Sequence, residues 1–432
     1  MSQLFLWLFI SICIGILGWG MLRPDRIYQY PFYMAAIFLS FMVPQAFALI
    51  ENPGAAKLEA IDRVMLMCCL CSFMCWMGYQ LKPNVGFLNK IDIPIDEHKL
   101  FKAGVVMTIF CYLIRGAYAS AIRLASIGGG AWSGPVTILA FFYSVINIAF
   151  AICLIHAVKY PNFRNILVAI ISSYPVLEFA FGGGRRQVIV SLILTIGLAF
   201  FYIRRYLPPR LLSLTAIVGS AYLIPLVGQE RGVFWAKLFS LQFDQISWSK
   251  GLDYTLGGDI LELRNAAILM DAAEYTGQYS FGTGYWDYFV FRFVPGQILG
   301  NDFKDSLLFN LIDRTKLESF DYSIPGGTTP TGIGDSFLEF SYFGCLFFLF
   351  QAFLFKHIWL AAIERKNLAN QVFYVGLLAN VSLNITHSTA SFFADTFFQF
   401  VFLGAALFYA RAKPEQLEHG ELVTSSGITK AK

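Results

Sequence analysis

Charged side chains are scarce in this chain. Only 14% of its 432 residues are Asp, Glu, Lys or Arg, against about 25% in an average soluble domain. Hydrophobic residues make up 57%, 44 of them Phe, and the mean hydropathy is +0.59. A water-soluble core cannot enclose that much apolar surface, so lipid must solvate much of it.

Other absences narrow the chemistry. There is no P-loop, no Rossmann glycine pattern and no HExxH. Neither the 182–186 hairpin nor the long loop after 228 has a DxD-like acidic pair to hold a metal for a nucleotide-sugar donor, so neither metal nor cofactor is expected. Any reaction would then draw on a substrate already activated and carried by lipid. The eight cysteines all fall in apolar runs, which argues against a disulfide framework. Cys68, Cys71 and Cys75 share a helix face, but no His or carboxylate joins them at ligand spacing, so they read as small apolar fillers. The net charge of +4 follows from topology, and no nucleic-acid partner is expected.

What is present is a series of runs long enough to cross about 30 Å of hydrocarbon. They lie near 4–22, 28–50, 63–81, 101–120, 135–158, 166–181, 187–203, 211–228, 337–360, 370–387 and 392–410. The first has no basic n-region or clear cleavage site and reads as a retained helix. The pattern predicts an all-α polytopic membrane protein of about eleven transmembrane helices. It divides into an eight-span bundle (1–228), one large extracytoplasmic loop with short amphipathic helices (229–336), a three-span bundle (337–410) and a cytoplasmic tail (411–432).

Orientation follows from basic residues. One set of alternate breaks, with the tail, holds eighteen Lys and Arg; the short breaks of the other set hold six. The richer set is expected in the cytoplasm. That puts the N-terminus, the 182–186 hairpin and the long loop outside.

In the loop, 258–277 carries Leu263, Ala267 and Met270 at helical spacing, and 305–317 carries Leu307, Leu308, Leu311 and Ile312 on one face. Both read as amphipathic helices, on the membrane surface or packed over the bundle. Trp235, Trp248, Tyr254, Tyr285 and Trp286 suit interfacial anchoring, and could equally stack on sugar rings.

Arg185 and Arg186 follow three glycines at the outer end of a helix, against the positive-inside preference. Guanidinium forks match phosphate oxygens in pairs, so this pair reads either as a lipid-headgroup anchor or as a pyrophosphate clamp. Arg231, Arg292 and Arg314 are further outward arginines; Arg292 lies among aromatics just before Pro295-Gly296, which favours a bound anion or a carboxylate partner. Glu178 lies about a helical turn from Gly182 and reads as the counter-charge of the arginine pair, or as a general base. His387, ending the tenth span, is a structural cap, or else a base or phosphate ligand. Asp335 opens the ninth span, where the helix dipole favours a carboxylate.

At these residues the chain resembles the Wzy-type O-antigen and exopolysaccharide repeat-unit polymerases. Gly182-Gly183-Gly184-Arg185-Arg186 resembles that family's Gly-Arg element. Phe281-Gly282-Thr283-Gly284-Tyr285 through Pro295 resembles its loop segment, and Thr328-Thr329-Pro330 through Gly334-Asp335 and Tyr342-Phe343-Gly344 its closing element. Two positions depart: Gly296 follows Pro295 where the family often has arginine, and Asp335 stands where Glu is usual. The resemblance implies polyprenyl-pyrophosphate-linked oligosaccharides as substrates at the outer leaflet. It also implies a chain-length regulator and a flippase of the same pathway as partners besides the bilayer. On it, Arg185, Arg292, Glu178 and His387 would be catalytic, while Arg186, Arg231, Arg314, Tyr285 and Asp335 would bind substrate. The rival readings are a ligase, which usually carries a histidine in its large outer loop, absent here, and a lipid or polysaccharide transporter.

The charge asymmetry predicts opposite reporter signals. A periplasm-active phosphatase fused at residue 320 should be active and one fused after residue 432 inactive; the reverse pair would invert the topology.

Overall fold

A computed structural model describes residues 1–127, 135–182, 186–230, 233–249, 262–311, 316–317, 322–325 and 328–412. The fold is all-α. The first eight spans are α1 (Ser2–Leu22), α2 (Tyr30–Glu51), α3 (Leu58–Gln80), α4 (Glu97–Ile127), α5 (Ile138–Lys159), α6 (Phe163–Gly182), α7 (Arg186–Arg204) and α8 (Arg210–Gln229). The loop contributes α9 (Glu262–Thr276), α10 (Thr283–Phe293) and α11 (Asn301–Ser306). The chain then forms α12 (Thr331–Phe340), α13 (Cys345–Ile363), α14 (Leu368–Thr386) and α15 (Thr389–Ala410). Among the described residues, nine helical stretches are long and apolar enough to cross a bilayer, with α12 and α13 counted as one. Two shorter apolar ones lie in α7 and α8. Together they match the eleven runs in the hydropathy pattern.

Local chemistry explains where the helices bend and start. Pro44 has no N–H to donate, and the turn before it, Phe38–Met42, widens to π geometry. The Asn367 and Ser388 side chains accept the Asn370 and Ser391 N–H groups and so cap α14 and α15.

Contacts sort the breaks onto two faces. On one, Arg365 pairs with Asp92, Lys159 with Glu97, and the Ala412 N–H reaches the Pro94 carbonyl. On the other, the Ser2 hydroxyl meets Asp62, Lys57 and Arg63 both pair with Asp271 of the loop, and Arg264 donates to the Asn52 and Pro53 carbonyls. The loop is thereby tied to the face that carries the N-terminus.

Two expectations are corrected here, and of the two placements expected for the 258–277 helix the packed one is found. Its described part, α9, buries ten residues against α3 and α12, and Gly334 lets it approach closely, since a Cβ there would come within 2.9 Å of Ala266. The 305–317 helix does not form. The helix stops at Ser306, and Lys316–Leu317 pairs as a short strand with Tyr322–Ser323. The cause lies in the backbone: the Asp287 carboxylate takes the Phe309 and Asn310 N–H groups and the Trp286 indole takes the Leu307 carbonyl, so no helical ladder can use them. The ninth span starts at Thr331 instead of 337 and is broken at Ser341, whose φ is +52°. Gly344 sits against the Ser336 carbonyl there, where a Cβ would come within 2.0 Å of the oxygen.

Small residues also seat α12 on α14. A Cβ at Gly332 would stand 1.4 Å from the Asn384 carbonyl oxygen. Gly332→Ala must push backbone against backbone, at a cost of about 3 kcal/mol. It should lower the thermal midpoint in detergent by roughly 5 °C or more. Gly15→Ala, with nothing within 4 Å, should leave the midpoint unchanged.

Candidate functional site

The N-terminus of α15 is where the loop and the last spans converge. A helix start presents N–H groups with no partner inside the helix. Ser388 leaves α14 in extended conformation and its side chain accepts the Ser391 N–H 3.0 Å away. The Ala390 N–H goes to Asp335 of α12, whose Oδ2 accepts it at 3.1 Å and also accepts the Thr389 hydroxyl. Asp335 is fully buried. A buried carboxylate is tolerated when its charge is met by aligned donors, and a helix N-terminus supplies them.

From this anchor the polar network runs into α10. The Thr389 hydroxyl also lies 3.1 Å from the Tyr285 hydroxyl, and the Ser391 hydroxyl donates to the Tyr288 hydroxyl at 3.0 Å. Arg292, one turn beyond Tyr288, donates to that same phenol at 3.4 Å and pairs with Asp395 of α15. The guanidinium keeps 42% of its side-chain surface exposed while Asp395 keeps 16%. Aromatic rings flank the network: Tyr285 lies 4.9 Å from Phe393, and Phe289 and Phe293 both pack on Phe397.

The start of α10 is hooked to the end of α12. The Ser280 and Phe281 N–H groups reach the Leu338 and Glu339 carbonyls, and the fully buried Glu339 carboxylate accepts the Gly282 N–H at 2.8 Å. Further out, Asn265 of α9 holds the loop's return strand. It accepts from Tyr322 and donates to Thr328 at 2.9 Å and to the Thr329 carbonyl at 3.1 Å. Burial pushes the Tyr322 phenol above its ordinary value, with Arg264 opposing, and this keeps it a donor.

The structure thus brings three residues singled out separately in the sequence, Tyr285, Arg292 and Asp335, onto the first turns of α15, with His387 next to them along the chain. His387 caps the end of α14, two residues before Thr389, exposed, with its Nδ1 2.8 Å from the Thr386 hydroxyl. Glu178, expected to balance Arg185 and Arg186, makes a two-pronged pair with Arg115 at 2.9 and 2.7 Å, where α4 lies against α6; the side chains of Arg185 and Arg186 lie outside what is described. One reading changes. Asp335 serves the dipole of α15 instead of its own helix, and its burial leaves it holding protein in place of substrate. Arg186 is the first residue of α7, and its side chain falls outside what is described. Arg185, Arg231, Arg314 and Tyr254 lie outside the described residues.

Sequence reasoning passed over Tyr288, Thr389, Ser391 and Asp395. Asp395 had a usable signal: it is the only charged residue from Thr389 to Ala410, and intramembrane carboxylates are rare without a role. The hydroxyls had none. In sum, the site offers a half-exposed guanidinium, a row of hydroxyls and accessible aromatic faces, a set suited to an oxyanion joined to a polyol. No family model, curated protein or solved structure matches this chain.

If Asp335 anchors α15, Asp335→Ala strands two buried donors, a loss of about 2–5 kcal/mol. The detergent thermal midpoint should fall accordingly, whereas His387→Ala should move it little. Equal midpoints for the two variants would remove the anchoring role.

Proposed function

We propose that this protein polymerises polyprenyl-pyrophosphate-linked oligosaccharide repeat units into a surface polysaccharide (O-antigen, capsule or exopolysaccharide). The reaction takes place at the outer face of the bacterial plasma membrane. The observation that carries this reading is that Tyr285 and His387 lie at the start of α15 while Arg292 pairs with Asp395 six residues further along the same helix. The loop residues and the last spans come from distant parts of the chain, yet they present hydroxyls and rings at one membrane face with a cation below them. The resemblance of the same segments to repeat-unit polymerases supports it, as does the Lys/Arg asymmetry that turns this face outward.

In this reading the non-reducing-end hydroxyl of one lipid-linked unit attacks the anomeric carbon of another. The bond from that carbon to the pyrophosphate oxygen breaks, and polyprenyl pyrophosphate leaves with the bonding electrons. Pyrophosphate is a good leaving group, so the protein's task is to position two lipids and stabilise charge on the departing oxygens. Arg292 takes that electrostatic role, with Arg185 and Arg186 as the second clamp suggested by their glycine-arginine motif. His387, exposed beside the network, is the candidate to accept the hydroxyl proton. Glu178 is the weaker choice because Arg115 already holds its carboxylate. Tyr285 and the neighbouring rings offer faces for sugar.

One feature favours a second reading, transport of a lipid-linked glycan: the span at 331–363 is broken at Ser341, and broken helices mark many transporter sites. A deletion strain separates the readings by glycan length. Single-unit glycan on the surface supports the polymerase, polymer left on its carrier supports a ligase, and units absent from the outer face support a transporter. Within the polymerase reading, Arg292→Ala should reduce long-chain product at least about 100-fold, the size of effect seen for a single charge-stabilising donor, with normal membrane insertion. Wild-type chain lengths in that variant would exclude Arg292 from the chemistry.

A further inference from the structure

The contacts of α10 with α15 advance in step. Tyr285 meets Thr389, Tyr288 meets Ser391, Arg292 meets Asp395, and Phe293 meets Phe397. Both helices therefore run in the same direction from the shared face. Thr389 to Phe397 is eight residues, so at 1.5 Å per residue α10 descends about 12 Å beside α15. Phe293 also packs on Phe141 of α5, which itself contacts Phe398 and Phe402 further along α15. With 22 residues, α15 is about 33 Å long and just spans a hydrocarbon core of about 30 Å. The lower end of α10 consequently lies at acyl-chain depth, well inside the span.

The chain then turns at Val294-Pro295-Gly296 and comes back through α11. Lys304 reaches the Phe291 carbonyl at 2.8 Å and sits over the Phe291 ring. At the mouth, the Trp286 indole holds the Leu307 carbonyl at 2.9 Å and Asp287 holds the Phe309 and Asn310 N–H groups. Residues 283–310 thus close into a hairpin with both limbs starting at the face and a turn below it. The turn exposes Ile298 (70%) and Leu299 (53%), and Phe291 and Phe303 beside it are at least half exposed as well. Apolar side chains at the deepest point, an indole at the mouth and Asp302 and Asp305 on the returning limb give the profile of a segment set into one leaflet.

We propose that 283–310 is a membrane wedge, a re-entrant hairpin whose tip at Ile298 and Leu299 is covered by the acyl chains of the leaflet on the loop face. The occupant of this apolar tip is phospholipid. A protein partner or an aqueous cavity are the outcomes that would displace it. The inference is independent of the proposed activity, because it uses only helix register, hairpin closure and exposure.

All eight native cysteines are buried, so introduced thiols can be read against a quiet background. Full-length protein carrying Ile298→Cys, Leu299→Cys or Asn310→Cys is reconstituted into vesicles of phosphatidylcholine and phosphatidylglycerol. Each is labelled with an environment-sensitive fluorophore. The labels at 298 and 299 should be quenched by chain-doxyl lipid and not by aqueous iodide, with the reverse at 310. Thiols at 298 and 299 should also react at least tenfold more slowly than 310 with a membrane-impermeant reagent. Iodide quenching at 298 and 299 equal to that at 310 would overturn the wedge. So would protection of 298 and 299 that persists in detergent micelles and depends on protein concentration, since that would make the tip a protein interface. Because both tip side chains are exposed, their replacement does not threaten folding, and agreement between 298 and 299 guards against a local artefact.

Discussion

A single carboxylate joins the loop face to the last spans. Asp335 sits in α12 with no exposed surface, and it accepts from the first hydroxyl and the second N–H of α15. In an interior of low polarity an unpaired carboxylate is costly, and an uncapped helix start leaves N–H groups unmet. Bringing the two together removes both penalties, and that fixes where α12 meets α15. Thr389, held by Asp335, then receives Tyr285, and through Tyr285 the helix α10 is registered on α15. The glycines at 332, 334 and 344 make this geometry reachable, since each lies where a Cβ would meet backbone or a neighbouring helix.

The second constraint is the ion pair one step further along. Arg292 and Asp395 come from segments about a hundred positions apart, and each would be poorly tolerated alone beside lipid-facing phenylalanines. Their pairing lets a guanidinium stand below the rim of the bundle with part of its surface still open. A cation held this way, in surroundings that weaken competition from water, acts more strongly on an anionic headgroup than one in bulk solvent. Arg115 and Glu178 repeat the device between α4 and α6. Paired charges at the loop face are therefore a general feature of the described bundle.

How much of this could be read along the chain depends on the kind of signal. Hydropathy and length marked the spans to within a few residues, because solvation by lipid acts on each helix separately. The ninth span is the instructive exception. The run of Phe and Leu after Asp335 looked continuous, but Ser341 turns the backbone to positive φ so that Gly344 can close on Ser336. In the loop, periodicity found α9 and missed the fate of 305–317, since side chains of Trp286 and Asp287 claim the backbone groups a helix would have used. Such competition between distant groups leaves no periodic trace.

The amino-acid order alone determined that lipid solvates much of this protein, where its apolar runs lie and that a long polar segment separates them. These follow from transfer energies that sum residue by residue. Tertiary structure alone decided which charges meet. Glu178 meets Arg115 from 63 positions away, Asp335 caps a helix that begins 54 positions later, and Arg292 finds Asp395. Those choices depend on which helix ends are brought within hydrogen-bonding reach, and that is a property of packing, set where small residues let backbones touch.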